Sequence, residues 1–425
     1  MRPPPDRAVT DPSDIHRTEF AERVRFVCTL ATRLHQFGTS APRLESAISE
    51  VAGRLGLSTQ VWCNPTGMII SFAERGPVED RLSELTQVLR LAPGENDLRR
   101  LSIVDRIAED VGAGKLGIAD GYRQLRELDR PPRWGSRLLR AVAHGVSAGA
   151  VAVLFGLSGP DVGVSAFNGL AIGMLGLLAA RNAHFAAGYE AMAALMAALF
   201  TAWYSARIGP LSVNTVLVSS LIVLLPGMML TTAVNELAVQ HLVAGMSRFA
   251  GAIAVLLKLV FGTAAGLQMA VVLGFPHEVA VALPAPEWVM WVAVAIASFN
   301  FAVLFKAAYR DFPLVMASAA TGFVMARWFG MHYGAEFAAF AAGLVVGVLA
   351  NLYARVVGRP GAIVRVPGII MLVPGSTGFR SLFLAIQGDV SKGLDVAFAL
   401  LLLLIALVAG LLFANVLVTP RRTLS

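Results

Sequence analysis

The sequence predicts an α-helical polytopic membrane protein: about ten transmembrane helices in an inverted five-plus-five repeat, two of them broken at Pro-Gly, behind an N-terminal cytoplasmic α+β domain. Three observations carry this. The 425 residues are 56% hydrophobic and only 15% charged, far more apolar than a soluble globular chain. The polarity is unevenly spread: residues 1 to about 134 are rich in Arg, Glu and Asp, and about 137–418 are nearly continuous apolar blocks. Two of those blocks are interrupted by the same dipeptide, at Pro226-Gly227 and Pro374-Gly375, 148 positions apart. The divisions that follow are a disordered tail over 1–17, the α+β domain over 18–134, and five-helix repeats over 135–278 and 279–425.

In the N-terminal domain, Phe20, Val24, Val27, Leu30 and Leu34 recur at helical spacing and predict a helix over 18–36 that Gly38 ends. Ser40 begins a second, through Leu44, Ile48, Val51 and Leu55. Gln60–Cys63 and Met68–Phe72 read as strands around Asn64-Pro65-Thr66-Gly67, which has proline and glycine where a tight turn needs them. Two further helical stretches are expected over about 81–91 and 97–128, and Arg130-Pro131-Pro132-Arg133 links the domain to the membrane. Cys28 and Cys63 are too few for a disulfide framework and read as reduced thiols in or near a core. There is no His-Glu-x-x-His, Cys-x-x-Cys or phosphate-cradling loop, so no metal or cofactor is expected and ATP-driven transport is disfavoured. A membrane-anchored hydrolase acting through this domain is the alternative from another functional class.

A span needs about 20 mostly apolar residues. Ten segments qualify, near 137–157, 162–181, 186–207, 212–238, 248–275, 287–306, 312–330, 335–356, 362–387 and 394–418. With the N-terminus inside, the cytoplasmic ends carry Arg133, Arg137, Arg140, Arg181, Arg248, Lys306, Arg310, Arg355, Arg359, Arg365, Arg421 and Arg422, against Arg207, Arg327 and Lys392 outside. That asymmetry places both termini in the cytoplasm and accounts for the net charge of +7 without nucleic acid. At the offset of the two breaks Gly245 matches Gly393 and His184 matches His332, which extends the repeat beyond the breaks. An odd number of helices per repeat inverts the second half.

Proline removes a backbone donor and glycine frees the dihedrals, so both helices are interrupted where only buried or cavity-facing backbone is tolerable. Paired broken helices point to a transporter's binding site. Pro226, Gly227, Thr231, Thr232, Asn235, Pro374, Gly375, Ser376, Thr377 and Arg380 are the expected substrate contacts. Half-helix N-termini would face a carboxylate, exposed carbonyls an ammonium, and Arg380 a second route to the carboxylate. Glu236 and Glu190 are the expected proton-coupling groups, because an intramembrane carboxylate is costly and by default functional. Lys258 reads as half of an internal ion pair, and Asn168, Asn235, Asn300 and Asn351 as helix bridges.

Taken together these segments resemble the bacterial threonine/serine exporters. The resemblance runs from about Phe20 to the C-terminus. It lies in Leu34-His35-Gln36-Phe37-Gly38-Thr39-Ser40-Ala41-Pro42-Arg43-Leu44-Glu45, in Asn64 to Phe72, and in Pro226-Gly227 with Leu230-Thr231, Glu236, Gly245 and Arg248. The C-terminal half adds Arg359-Pro360, Val366-Pro367-Gly368 and Leu372 to Ser376. The family also exists as two polypeptides, here fused as about 1–275 and 285–425. Two departures stand out: Thr232 where the pattern expects Asn, and Glu236 where it expects Asp. The resemblance implies a non-enzymatic carrier in the bacterial inner membrane that exports threonine and serine, driven by protons, with lipid as its surroundings and a homo-oligomer left open. Export of dicarboxylates such as succinate is the alternative substrate.

Overall fold

The computed structural model describes residues 12–74, 85–129, 134–157, 159–276, 286–372 and 374–420. The chain divides after Arg130 into two compact units.

The N-terminal unit runs α1 (Pro12–Gln36), α2 (Ala41–Arg54), β1 (Leu57–Asn64), β2 (Gly67–Glu74), β3 (Leu85–Arg90), α3 (Leu98–Gly112) and α4 (Ile118–Glu127). Its sheet is antiparallel in the order β1-β2-β3. The hairpin forms where Asn64 pairs with Gly67, and the Asn64 side-chain oxygen accepts from the Thr66 N–H at 2.9 Å, fixing the turn. Phe26, Leu30 and Leu34 of α1 are fully buried with Leu44, Ile48, Met68, Ile70, Phe72, Ile107 and Leu125. Both cysteines are free thiols, and burial pushes the Cys28 thiol up to about 11.

Two expectations are corrected here. The helix expected over 81–91 is a strand where it is described: Leu85, Gln87 and Leu89 are half-buried while Thr86, Val88 and Arg90 are exposed, the alternation of a pleated edge. The helix expected over 97–128 is two, because α3 ends at Gly112 and Gly114 turns the chain at φ +71°. The link at 130–133 and residues 1–11 lie outside the described residues, whereas residues 12–17, expected in a disordered tail, form the start of α1.

The second unit contains α5 (Trp134–Leu154), α6 (Pro160–Ala179), α7 (Ala183–Arg207), α8 (Val213–Ser220), α9 (Gly227–Ala238) and α10 (Leu242–Val272), then α11 (Glu287–Leu304), α12 (Phe312–Tyr333), α13 (Ala335–Val357), α14 (Ala362–Ile370), α15 (Gly375–Ile386) and α16 (Val390–Leu417). Among the described residues nine segments are long and apolar enough to cross a membrane, α14 and α15 counting as one. The split pair α8 and α9, of 8 and 12 residues, falls outside that count, so the tenth expected span is not among the nine. The chain is a polytopic helical membrane protein.

The offset read from the sequence reappears in the backbone. α9 and α15 are each 12 residues long and begin at Gly227 and Gly375, and α10 and α16 begin at Leu242 and Val390. The prolines before the restarts have nearly the same dihedrals, φ −80° and ψ 40° at Pro226 and φ −83° and ψ 41° at Pro374. Packing follows the same register. α7 lies on α10 as α13 lies on α16, and α9 on α10 as α15 on α16. Contacts between the halves are reciprocal: α9 packs on α16, α15 packs on α10, and α5 packs on α11.

Small residues permit these approaches, as they do where lipid offers no hydrophobic drive. A Cβ at Gly262 would stand 2.2 Å from the Ala191 carbonyl oxygen, and one at Gly410 2.2 Å from that of Phe340. Gly262→Ala and Gly410→Ala should therefore each destabilise the membrane unit by about 1–3 kcal/mol, the cost of overpacking. Thermal unfolding of the detergent-solubilised protein reads this; a melting point equal to that of the parent for both would refute the packing.

Each broken helix is also tethered near its start by an aspartate at the head of the second helix of its half, Asp161 in the first turn of α6 and Asp311 just before α12. Asp161 accepts from the Ser212 N–H at 2.8 Å, just before α8. Asp311 takes both ends of the Arg359 guanidinium, at 2.6 and 2.8 Å, just before α14. α10 starts earlier than the 248–275 expected, at Leu242, so Arg248 sits inside a helix rather than at its end. The reason is a buried partner, described next.

Candidate functional site

The two Pro-Gly breaks meet. Pro226, Gly227, Pro374 and Gly375 are all buried, and a Cβ on Gly375 would lie 3.1 Å from both the N and Cα of Gly227 and 3.3 Å from the Leu225 Cβ. Proline cannot continue the hydrogen-bond ladder of α8, and the chain passes through turns at 221–225 before α9 begins. Only a residue without a side chain lets the second restart come this close to the first.

Both restarts are bare. Neither α9 nor α15 has an acidic residue in its first turn, and neither has a side-chain cap. The first turn of any helix leaves N–H groups without helical partners and carries roughly half a positive charge. Two such ends converge at Gly227 and Gly375. One turn further along α9, Thr231 is 2% exposed and its hydroxyl is buried with no hydrogen-bond partner among the described residues.

The remaining expected contacts divide. Thr232 is turned away, donating to the Met228 carbonyl of its own helix at 2.8 Å. Asn235, Ser376 and Thr377 are half-buried on α9 and α15. Arg380 is exposed, and its guanidinium lies 5.3 Å from the centre of the Phe155 ring. Asp389, an acid within reach of Arg380 in sequence, instead pairs with Lys392 at 2.6 Å.

The two expected coupling carboxylates sit elsewhere. Glu236 lies nine residues along α9 from Gly227, roughly 13 Å at 1.5 Å per residue. It has no exposed surface and accepts two hydrogen bonds from Arg248, from Nε at 2.9 Å and from Nη2 at 3.1 Å. Glu190 of α7 meets Lys258 of α10, with Oε2 3.3 Å from Nζ. The structure thus gathers the two breaks and Thr231 at one point and leaves both carboxylates, each with a cation, on the α7–α9–α10 side.

Sequence reasoning passed over the groups just ahead of the first break. Ser165 and Ser219 hydroxyls are 2.9 Å apart, and the Asn168 amide donates to Thr201 at 2.9 Å and Ser220 at 3.3 Å, joining α6, α7 and α8. The signal was present as Ser219-Ser220 in an otherwise apolar run. Asn168 does bridge helices, as do Asn300, donating to Ala143 O at 2.6 Å, and Asn351, donating to Asn415 at 2.8 Å.

Comparison with known proteins places this geometry. A family model described as "Putative threonine/serine exporter" matches residues 25–270, and one described as "Threonine/Serine exporter, ThrE" matches 290–417. Among curated proteins, pheromone-regulated membrane protein 10 of Candida glabrata is 26% identical over 87% of this chain and 48% of its own length. Its counterpart in Saccharomyces cerevisiae is 27% identical with the same coverage. An uncharacterized protein of Schizosaccharomyces pombe is 24% identical over 90% of this chain and 46% of its own. The chain spans about half the length of these relatives. No solved structure matches it.

Proposed function

The chain belongs to the threonine/serine exporter family, and from that premise we propose that it moves threonine and serine outward across a bacterial inner membrane as a proton-coupled secondary transporter. One observation carries the substrate reading: two uncapped half-helix N-termini converge at Gly227 and Gly375 with no acid in either first turn. An arrangement of that polarity favours an anion, and a substrate carboxylate supplies one. The unpartnered Thr231 hydroxyl offers a hydrogen bond to a hydroxy amino acid, and the turn carbonyls at 221–225 offer acceptors to its ammonium. Pro226, Pro374, Ser376 and Thr377 frame this cradle, with Asn235 farther along α9 and Arg380, stacked on Phe155, at its margin.

Five helices in each half give the halves opposite orientation, and rocking one against the other around the joined breaks gives alternating access. The surplus of Arg at one set of helix ends supports both termini being cytoplasmic. Glu236 and Glu190 are the membrane carboxylates able to carry a coupled proton.

The test is uptake by proteoliposomes of labelled threonine, serine and succinate, with and without an imposed pH gradient. Threonine and serine flux stimulated by the gradient is expected. Succinate flux alone would replace the amino acid by a dicarboxylate, and no flux of any of the three into vesicles holding folded protein would overturn the proposal.

A further inference from the structure

We propose that the Glu190–Lys258 pair, rather than Glu236, carries the coupled proton, an assignment that rests on the exporter reading. The two carboxylates differ in what holds them. Glu236 is sealed from solvent and gripped by two hydrogen bonds from Arg248. A guanidinium does not give up a proton in a protein, and protonating Glu236 would strand that cation in a buried place. This pair is a fixture.

Among the described residues, Glu190 is held by a single ion pair. Lys258 Nζ lies 3.3 Å from its Oε2 and 3.4 Å from the Ala187 carbonyl. The side chains are 22% and 41% exposed, so protein does not seal them as it seals Glu236. Lys258 sits near the middle of α10, where a charge is hardest to maintain. A lysine ammonium, unlike a guanidinium, can release its proton when its surroundings change.

The second half of the molecule shows that the fold does not require the pair. α13 packs on α16 as α7 packs on α10, with Gly262 close against Ala191 and Gly410 close against Phe340, yet at the 148-residue offset the residues corresponding to Glu190 and Lys258 are Ala338 and Ala406. The Glu236–Arg248 pair is likewise missing from the second half, where Leu384 and Val396 stand, so what sets Glu190–Lys258 apart is its looser hold and its lysine.

The other titratable groups around it are engaged or distant in sequence. Tyr189 on α7 donates to the Ile172 carbonyl at 3.0 Å, and Asp161 of α6 is bound to the Ser212 N–H. Arg207 and Arg380 lie over Phe275 and Phe155. Glu236 of α9 and Arg248 of α10 hold each other, His184 and Tyr204 are at other turns of α7, and α8 has no titratable side chain.

The cycle balances with one proton in and one out. A proton arriving from the outer side bonds to Glu190 Oε2 and ends the contact with Nζ. Lys258 Nζ then loses a proton to the inner side. The carboxylic acid passes its proton to the neutral amine, which restores carboxylate and ammonium.

Three full-length proteins in proteoliposomes decide this: the parent, the double variant Glu190→Ala/Lys258→Ala that copies Ala338 and Ala406, and Lys258→Arg, which keeps the charge but cannot release it. Threonine counterflow, which needs no net proton movement, reports the carrier itself. Gradient-driven flux and threonine-evoked proton movement report the coupling. Both variants are expected to show measurable counterflow, while gradient-driven flux falls about tenfold or more. A full gradient response in either variant overturns the assignment. So does loss of counterflow in both, because the pair would then serve substrate movement. Absence of counterflow in the parent would instead refute the exporter reading.

Discussion

Glu236→Gln should destabilise the membrane unit by about 3–5 kcal/mol, because it leaves a buried guanidinium without its carboxylate. Arg248 is only 18% exposed at its side chain and donates from both Nε and Nη2 to Glu236. Glutamine keeps the shape but offers one acceptor and no charge. The corresponding positions in the second half are Leu384 and Val396, apolar residues in the same α15–α16 packing. The double variant Glu236→Leu/Arg248→Val should therefore recover most of the loss, since a buried ion pair can be exchanged for packed hydrocarbon at little cost. Unfolding in detergent measures both. A single variant as stable as the parent would show that the pair holds nothing, and a double variant no better than the single would show that more than pairing is at stake.

The second large effect is on flux. Gly375→Ala places a methyl 3.1 Å from the backbone of Gly227, with the Leu225 Cβ at 3.3 Å blocking the escape to that side. Accommodation requires α15 and α9 to part by a few tenths of an ångström, and overpacking of this kind costs about 1–3 kcal/mol. That energy is levied where the two restarts converge, the place proposed for the substrate. Threonine flux is expected to fall by roughly tenfold or more, which is what about 1.4 kcal/mol in binding alone would bring. Flux and melting point are measured on the same preparation. Undiminished transport in a folded Gly375→Ala carrier would remove the joined breaks from the site.

Much of this was legible in the sequence because it depends on local chemistry. Pro226-Gly227 and Pro374-Gly375 stand at the two helix restarts, while the same dipeptide at Pro367-Gly368 stays inside α14, and the spacing of the first two carried over to the starts of α9, α15, α10 and α16. The turn at Asn64-Pro65-Thr66-Gly67 was equally local. β3 was missed because Leu85, Val88, Leu89 and Leu91 fall at intervals that a helix also allows, and the strand is decided by its pairing with β2. The partners of Glu236 and Glu190 are a matter of tertiary contact. Arg248 lies 12 residues from Glu236 across a turn, and Lys258 lies 68 residues from Glu190. The apposition of Gly227 and Gly375 spans the two halves, and no period in either half encodes it.

The reciprocal packing of α9 on α16 and α15 on α10 has a consequence for assembly. Each half lends the helix after its break to the final helix of the other, so the halves interlock like clasped hands rather than lie side by side. The interface between them is then an obligate one that happens to fall within a single polypeptide. The peptide connection between α10 and α11 raises the effective concentration at which one half finds the other. A gene coding for this protein could be cut there and rejoined without changing the energy surface on which the finished carrier works, only the rate and order in which it is put together.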